Sequence, residues 1–206
     1  MHATVPQVSV ALAAYNGAAY VAEQLRSILV QLASDDEIVV VDDASTDATR
    51  EIVSGLGDPR LRLLAQPVNR GVRASFERAL AATRGEFVFL ADQDDVWLPG
   101  KRDALVAALQ AGAVLALGDA TVIDAAGREV EPSFMARRGG FRGSFAATLV
   151  KNRYLGCAMA FRRELLADIL PIPAAVPMHD MWIGALAALR GPVAYVDRPL
   201  MQYRRH

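Results

Sequence analysis

The side chains best suited to chemistry follow a strongly apolar segment near the middle of the chain. Residues 86–91 (EFVFLA) are continued by Asp92, Gln93, Asp94 and Asp95. In an extended backbone Asp92 and Asp94 would project to the same side, and two crowded carboxylates repel unless a proton or a cation lies between them. Ligation by oxygen alone suits Mg²⁺ or Mn²⁺ rather than Zn²⁺. The spacing therefore predicts a divalent metal site that could bridge a diphosphate and make it a better leaving group.

The alternative for this acidic segment is a structural role, because carboxylates also cap helices and Pro99 could begin a helix shortly afterwards. Two further polar clusters raise the same question. They are Ala14-Tyr15-Asn16-Gly17, after residues 8–13, and Asp42-Asp43-Ala44-Ser45-Thr46-Asp47, after residues 37–41. Taken alone, Asn16-Gly17 is best explained as a turn, and Ser45 and Thr46 as candidate N-caps of the next helix.

The elements around these clusters alternate between strand and helix patterns. Apolar segments at 8–13, 37–41, 61–65 and 86–91 predict buried strands, and helical spacing is found at 18–32, after Thr46 and from Val72. This order predicts an α/β fold with a mainly parallel sheet and helices on both faces. Such sheets bind ligands beyond the carboxyl ends of their strands, so the three polar clusters are expected to meet at one edge.

The pattern changes after residue 111. Residues 115–123 and 129–130 predict a hairpin, and the Gly- and Arg-rich residues 132–143 predict a mobile surface loop. Further elements are expected as helices at 144–152, 163–169 and 179–189, and as strands at 157–161 and 193–196. We therefore predict one domain over 1–206, with a ligand-binding half at 1–111 and a smaller mixed half at 112–206.

Composition narrows the class of protein. The net charge of −1 disfavours a duplex nucleic-acid binder, and the one cysteine, Cys157, excludes a disulfide framework and a thiolate zinc cluster. Cys157 lies in an apolar run and is interpreted as core filler rather than as a nucleophile. No apolar stretch approaches the roughly 20 residues of a membrane span, and the N-terminus lacks a signal-peptide pattern. We expect a cytoplasmic protein, with peripheral membrane contact left open.

In addition, the sequence resembles a known family, the inverting glycosyltransferases of family 2 with the GT-A fold. The resemblance extends over essentially the whole chain and has six motifs, in order. They are residues 9–17 (SVALAAYNG), 37–47 (EIVVVDDASTD), 69–72 (NRGV), 89–99 (FLADQDDVWLP) with Lys101, 156–161 (GCAMAF) and 179–182 (HDMW). The DQDDVW and HDMW forms and the closing residues 203–206 (YRRH) are most similar to the rhamnosyltransferase-type branch of bacterial surface polysaccharide synthesis.

The resemblance implies a role for each matching position. The donor would be a UDP- or dTDP-sugar, the acceptor a glycan or lipid-linked glycan, and the cofactor Mn²⁺ or Mg²⁺. The implied nucleotide-binding residues are Ala14, Tyr15, Asn16, either Asp42 or Asp43 for the pyrimidine imide, Asn69 to Gly71, and Asp92. The implied metal ligands are Asp94, Asp92 and His206. Asp180 would be the catalytic base that deprotonates an acceptor hydroxyl.

Two departures from the family pattern carry expectations of their own. Ala44 replaces the usual glycine after the Asp-Asp pair, which restricts positive backbone angles there. The chain ends at His206, where relatives continue, so the acceptor side is expected to be short or truncated and the terminal His206 to fray.

Several of these residues also fit a different role. His179 and Asp180 could be an N-cap pair, and Trp182 could belong to the core or to a sugar platform. Another enzyme class, the haloacid-dehalogenase-type phosphohydrolases, has an Asp-x-Asp-x-Val pattern with Asp92 as nucleophile. That class would leave Asp42, Asp43 and Asp180 without a task. A third alternative is a nucleotide-sugar-binding protein without transferase activity.

Overall fold

The fold is built on a single mixed sheet, seen in a computed structural model that describes residues 6–141, 145 and 152–206. Within these residues the strands run in the order β3-β2-β1-β4-β8-β6-β9-β5, and β7 pairs with the outer part of β6. The strands are β1 (Val8–Ala14), β2 (Glu37–Asp42), β3 (Leu61–Ala65), β4 (Phe87–Asp92), β5 (Val96–Trp97), β6 (Leu115–Ile123), β7 (Glu129–Glu131), β8 (Met159–Arg162) and β9 (Val193–Arg204). The helices are α1 (Val21–Leu29), α2 (Thr49–Gly55), α3 (Val72–Ala82), α4 (Lys101–Gln110), α5 (Leu166–Ile169) and α6 (His179–Arg190).

The first four strands form the parallel half of the sheet. β1 pairs in parallel with β2 on one side and β4 on the other, and β3 pairs in parallel with β2. All six residues of β2 are buried, as expected for a strand covered on both faces. Alternate residues of β1 enter different cores: Ala11 packs with Phe76 of α3, whereas Val10 packs with Leu25 of α1. The predicted α/β fold with helices on both faces is confirmed.

The second half extends the same sheet instead of forming a separate layer. β8 is antiparallel to both β4 and β6, and β9 runs parallel to β6. The predicted hairpin is present, because β6 and β7 pair antiparallel. The boundary predicted at residue 111 therefore falls between strands of a continuous sheet, and the division into halves stays a prediction.

β9 is the largest difference from the predicted elements. The sequence predicts a strand at 193–196, but β9 continues to Arg204. Pro199 follows the predicted end, and proline cannot donate to a strand ladder. The pairing accommodates Pro199 with register shifts beside Asp119 and then resumes as far as Ile123 and Arg204. The extra length carries the end of the chain to the carboxyl edge of the parallel strands.

The loop after β2 also corrects a prediction. Ser45 and Thr46 are not N-caps, because α2 begins only at Thr49, after Ala48. Asp47 takes that role in part, since its carboxylate accepts the backbone N–H of Thr49 at 3.0 Å. Ala44 adopts a φ of +62°, a left-handed conformation that costs a non-glycine residue about 1–2 kcal/mol. The restriction expected from the missing glycine therefore does not prevent a positive φ at Ala44.

Two predicted segments of the second half are described only in part. The segment 132–143 contains a short 3-10 helix, Ala136–Arg138, and its residues 142 and 143 lie outside the described residues. The helix predicted at 144–152 also lies mainly outside them. Among the helices that the structure describes, none has the length and apolar character needed to cross a membrane.

Candidate active site

A cleft of about 630 Å³ opens at the carboxyl ends of the parallel strands. The sheet order predicts a ligand at this edge of the sheet, because the ends of β1, β2 and β4 meet there. Most of the predicted site residues line this cleft. They are Ala14, Tyr15, Asp43, Asn69, Gly71, Asp92, Asp94 and His206. Asn16, Asp42 and Asp180 are predicted site residues that do not line it.

Asp42 and Asp43 have different surroundings at the end of β2. Asp42 is the last residue of the strand, and Asp43 follows it. Asp42 is fully buried and bonded to the Arg50 side chain and, at 3.0 Å, to the Ser45 N–H. Asp43 lies in the cleft wall, and its carboxylate accepts the Gly71 N–H at 2.7 Å. Asp42 therefore supports the loop, and Asp43 is the one available to a ligand.

Asn16 also has a supporting position rather than a place in the cleft wall. Its side-chain oxygen accepts the Thr46 N–H at 2.9 Å, and its own N–H bonds to the Ser45 hydroxyl. These bonds tie the loop after β1 to the loop after β2. The nucleotide contact that the family motif implies for Asn16 stays a prediction.

Gln93 is a site residue that the sequence analysis missed. Its side chain accepts the Tyr15 N–H at 2.8 Å and donates to the Tyr15 carbonyl at 3.0 Å. The Gln93 amide thus pairs with the backbone N–H and carbonyl of Tyr15, as a neighbouring strand would. These two bonds fix the loop that carries the exposed Tyr15 ring. A Cβ on Gly17 would collide with the Gln93 side-chain oxygen, so a larger residue there would displace the Gln93 amide. The sequence contains a signal for Gln93, since it lies between the two predicted ligands Asp92 and Asp94.

Replacing Gln93 by alanine is expected to weaken nucleotide binding by about tenfold, the value of one to two neutral hydrogen bonds. The loss should appear in the dissociation constant measured by calorimetry, because Tyr15 lines the cleft. Gln110→Ala, at the exposed end of α4, is the matched control. Equal affinities of the two variants would show that the Tyr15 loop holds its position without Gln93.

The acidic segment after β4 is a turn and not the extended backbone assumed from the sequence. Gln93 and Asp94 form the turn, so the i, i+2 argument for Asp92 and Asp94 is wrong in its geometry. The two carboxylates nevertheless both line the cleft. Asp94 remains partly exposed, and its carboxylate lies 2.8 Å from the His206 imidazole. His206 also packs on the Tyr20 ring, with centroids 5.1 Å apart.

Behind the turn lies an inner acidic cluster with its own cation. Donor atoms of Asp92, Asp95 and Cys157 lie within 4.8 Å of one another. The fully buried Lys101 ammonium donates to the Cys157 carbonyl at 2.6 Å. Its positive charge acts to lower the pKa of Asp92. Burial raises the pKa of Asp92 and of Asp95, and it lowers the pKa of Lys101. Burial also raises the pKa of Cys157, which is consistent with a core residue rather than a nucleophile.

Asp180 is buried in the first turn of α6, where the N-cap is Met178 and no side chain caps the helix. The His179-Asp180 pair is therefore not an N-cap pair. Asp180 accepts the Asn152 amide at 3.0 Å and the Met181 N–H at 2.6 Å. Burial raises the pKa of Asp180, and the charge of Asp180 contributes to the raised pKa of Asp92. Asp180 thus lies in the same electrostatic neighbourhood as the acidic turn.

The neighbours of Asp180 belong to the core. The His179 ring stacks on Phe76 at 4.1 Å, and burial lowers its pKa to about 4. Trp182 donates its indole N–H to the Ile169 carbonyl at 3.0 Å and packs against the core cluster. This position favours the interpretation of Trp182 as a core residue over that of a sugar platform.

Comparison with known proteins identifies the family that the sequence motifs resemble. The model of "Glycosyl transferase family 2" matches residues 9–170. An uncharacterised glycosyltransferase of Nostoc sp. is 30% identical over 97% of this chain and 65% of its own length. The succinoglycan biosynthesis protein ExoO of Rhizobium meliloti is 37% identical over 61% of this chain and 36% of its own length. The chain thus spans less than two thirds of the length of these relatives.

Solved structures share the fold. TarS of S. aureus in complex with UDP-GlcNAc superposes with a TM-score of 0.74 at 24% identity, over 97% of this chain and 59% of TarS. The mannosyltransferase PcManGT of Pyrobaculum calidifontis, in complex with GDP-Man and Mn²⁺, gives 0.70 at 24% identity, over 98% of this chain and 57% of its own. The phosphohydrolase alternative is wrong, and the rhamnosyltransferase-type branch stays a prediction. With its family match, its mainly parallel sheet and this cleft, the chain belongs to glycosyl transferase family 2.

Proposed function

We propose that this chain transfers a sugar, with inversion, from a UDP- or dTDP-sugar to a hydroxyl of a glycan or lipid-linked glycan. The cleft supports the proposal most directly, because it collects the Tyr15 loop, Asp43 and the Asp94 turn at one sheet edge. Relatives and neighbours support the substrate classes: TarS was crystallised with UDP-GlcNAc, and the E. coli relative WfgD is named for transfer from UDP-Glc to a lipid-diphosphate-linked sugar. Such an acceptor would place the chain at the cytoplasmic surface of the inner membrane.

Asp43 has the capacity to bind a pyrimidine imide. One carboxylate oxygen, Oδ1, accepts the Gln66 amide and the Arg70 N–H, both at 2.8 Å. The other oxygen, Oδ2, accepts only the Gly71 N–H among the described residues. A carboxylate oxygen has two acceptor sites, so Oδ2 retains one for the imide N–H of a bound base. The three existing bonds would hold the carboxylate in position before the nucleotide arrives.

Asp94, His206 and Asp92 would hold the divalent cation. Their carboxylate oxygens and single imidazole suit Mn²⁺ or Mg²⁺, and Asp94 is open enough to the cleft to share an ion with a ligand. Asp95 and Cys157, the other members of the inner cluster, are less suitable, since the Lys101 ammonium already supplies positive charge there. When bound, the cation would neutralise the donor diphosphate and favour its departure.

Asp180 would act as the general base of a single displacement. The acceptor hydroxyl gives its proton to the Asp180 carboxylate while its oxygen forms a bond to the anomeric carbon. The bond from that carbon to the diphosphate oxygen breaks in the same step, so the configuration inverts. A raised pKa strengthens Asp180 as a base, provided that the pH remains above that pKa.

A thermal-unfolding panel tests the proposal. UDP-, dTDP- and GDP-sugars are compared with Mn²⁺, with Mg²⁺ and with a chelator. Ligand at about 100 times its dissociation constant stabilises by about 2.7 kcal/mol, which is a rise of roughly 5–10 °C for a chain of this size. We expect that rise with a pyrimidine donor and Mn²⁺, and a smaller one with chelator. If no nucleotide sugar stabilises the chain under any of these conditions, the proposed donor site is wrong.

A further inference from the structure

Arg204, the last residue of β9, makes polar contacts around the acidic turn that the proposed reaction does not explain. Its side chain is only 4% exposed although it lies at the edge of the cleft. The backbone N–H of Arg204 donates to the Asp95 carboxylate at 3.0 Å, and its Nε donates to the Asp94 carbonyl at 2.7 Å. Arg204 therefore contacts two consecutive acidic residues, Asp95 at its side chain and Asp94 at its backbone carbonyl.

The rest of the guanidinium fixes Arg204 against two other elements. Nη2 forms an ion pair of 2.9 Å with Glu23 of α1. Nη1 lies 3.3 Å from both the Asp124 and Ala125 carbonyls, in the turn between β6 and β7. A planar guanidinium can reach these directions at once, whereas a lysine ammonium on a single flexible stem cannot. The acidic turn is thus anchored to α1 and to the β6–β7 turn through one side chain.

The same contacts lead to His206. Arg204 and His206 are two residues apart, and both pack on the Tyr20 ring, at 4.8 Å and 5.1 Å. The chain between them is held to the sheet, because the Arg205 N–H donates to the Ile123 carbonyl at 2.9 Å. His206 therefore meets Asp94 at 2.8 Å at the end of a supported strand.

We propose that Arg204 is a positioning residue for the cation site, holding the Asp94 turn and the His206 end of β9 in register. The inference rests on the proposed function, since it assumes that Asp94 and His206 are ligands. Arg204 donates to the Asp94 carbonyl and not to its carboxylate, so Arg204 does not compete with a cation for the carboxylate oxygens. Residues that orient ligands in this way commonly change metal affinity by about 10–100-fold when they are replaced.

The test measures Mn²⁺ binding rather than turnover. Mn²⁺ is titrated into the full chain with saturating UDP, and free Mn²⁺ is followed by electron paramagnetic resonance. Arg204→Lys keeps the charge but loses the fork, and we expect about tenfold weaker binding. Arg190→Lys is the matched control, because Arg190 pairs with Asp168 at an exposed site away from the cleft. Its affinity should equal that of the unmodified chain.

A double-mutant cycle with His206→Ala identifies the route of the effect. If Arg204 acts by holding His206 and Asp94, the double variant should lose less than the product of the two single losses. Full multiplication of the losses, or unchanged Mn²⁺ affinity in Arg204→Lys, would overturn the proposal. A lower melting temperature with unchanged Mn²⁺ affinity would do the same, since it would indicate a purely structural residue.

Two further arms keep the outcomes separate. Glu23→Gln removes one contact to Arg204 at the exposed edge, so we expect a smaller loss of Mn²⁺ affinity in a protein that still folds. If Arg204→Lys does not fold, unchanged affinity in Glu23→Gln counts against the proposal. No Mn²⁺ binding by the unmodified chain with UDP or with dTDP would overturn the proposed function itself. Binding by that chain that is unaffected in Arg204→Lys would overturn only the role of Arg204.

Discussion

Asp94→Ala is expected to abolish Mn²⁺-dependent nucleotide binding and to lower sugar transfer by about 10³-fold. The carboxylate is the most open of the acidic turn, and the His206 imidazole lies 2.8 Å from it. Without it, the cation would lose its best-placed ligand, and neutralisation of the leaving diphosphate contributes several kcal/mol to such reactions. Calorimetry with a nucleoside diphosphate, in the presence and absence of Mn²⁺, measures the loss.

Asp103→Ala is the matched control for the Asp94 variant. Its side chain is 82% exposed, it lies in the first turn of α4, and it pairs only with Arg102 among the described residues. We expect the Asp103 variant to bind nucleotide and Mn²⁺ as the unmodified chain does. Retention of metal-dependent binding in Asp94→Ala would remove Asp94 as a ligand and return the acidic turn to a structural role.

Asp180→Asn is expected to keep donor affinity and to lose transfer by about 10²–10⁴-fold, the usual contribution of a general base. The asparagine oxygen can still accept the Met181 N–H, so the start of α6 should be preserved. Donor affinity should not change, because Asp180 does not line the nucleotide cleft. Steady-state transfer and nucleotide titration on the same preparation separate the two effects.

The raised pKa of Asp180 gives this variant a second signature, in stability. Burial raises the pKa in the folded chain, so the folded state binds this proton more tightly than the unfolded state does. The ionised carboxylate therefore reduces stability as the pH rises through its pKa. Asp180→Asn removes that charge, and its melting temperature at neutral pH should equal or exceed that of the unmodified chain. A clear fall would mean that lost activity reflects damage to the fold.

The same pKa sets the acid limb of activity. Transfer should fall as the pH drops through the raised pKa of Asp180, since only the ionised carboxylate can accept the hydroxyl proton. Asp35→Asn, at an exposed loop position, is the control and should keep the full pH profile. Donor binding without turnover in the unmodified chain, with no change in Asp180→Asn, would support the alternative of a binding protein.

The sequence alone determined the parallel strands of the sheet and the edge at which their polar ends meet. Strand and helix patterns depend on local spacing of apolar residues, and both β3 and the hairpin of β6 and β7 lie where these patterns predict them. The carboxyl ends of parallel strands must then meet at one edge. The sequence therefore predicts Asp92 and Asp94 at this edge without any knowledge of side-chain positions.

Only the tertiary structure decided which side chains face the cleft. Asp43 lines the cleft, whereas Asp42 is buried against Arg50, and this difference is not visible from adjacent aspartates in the sequence. Gln93 acts on Tyr15 from 78 positions away, and His206 reaches Asp94 across 112 positions. The His206 contact depends on the register of β9 past Pro199, which local propensity does not encode.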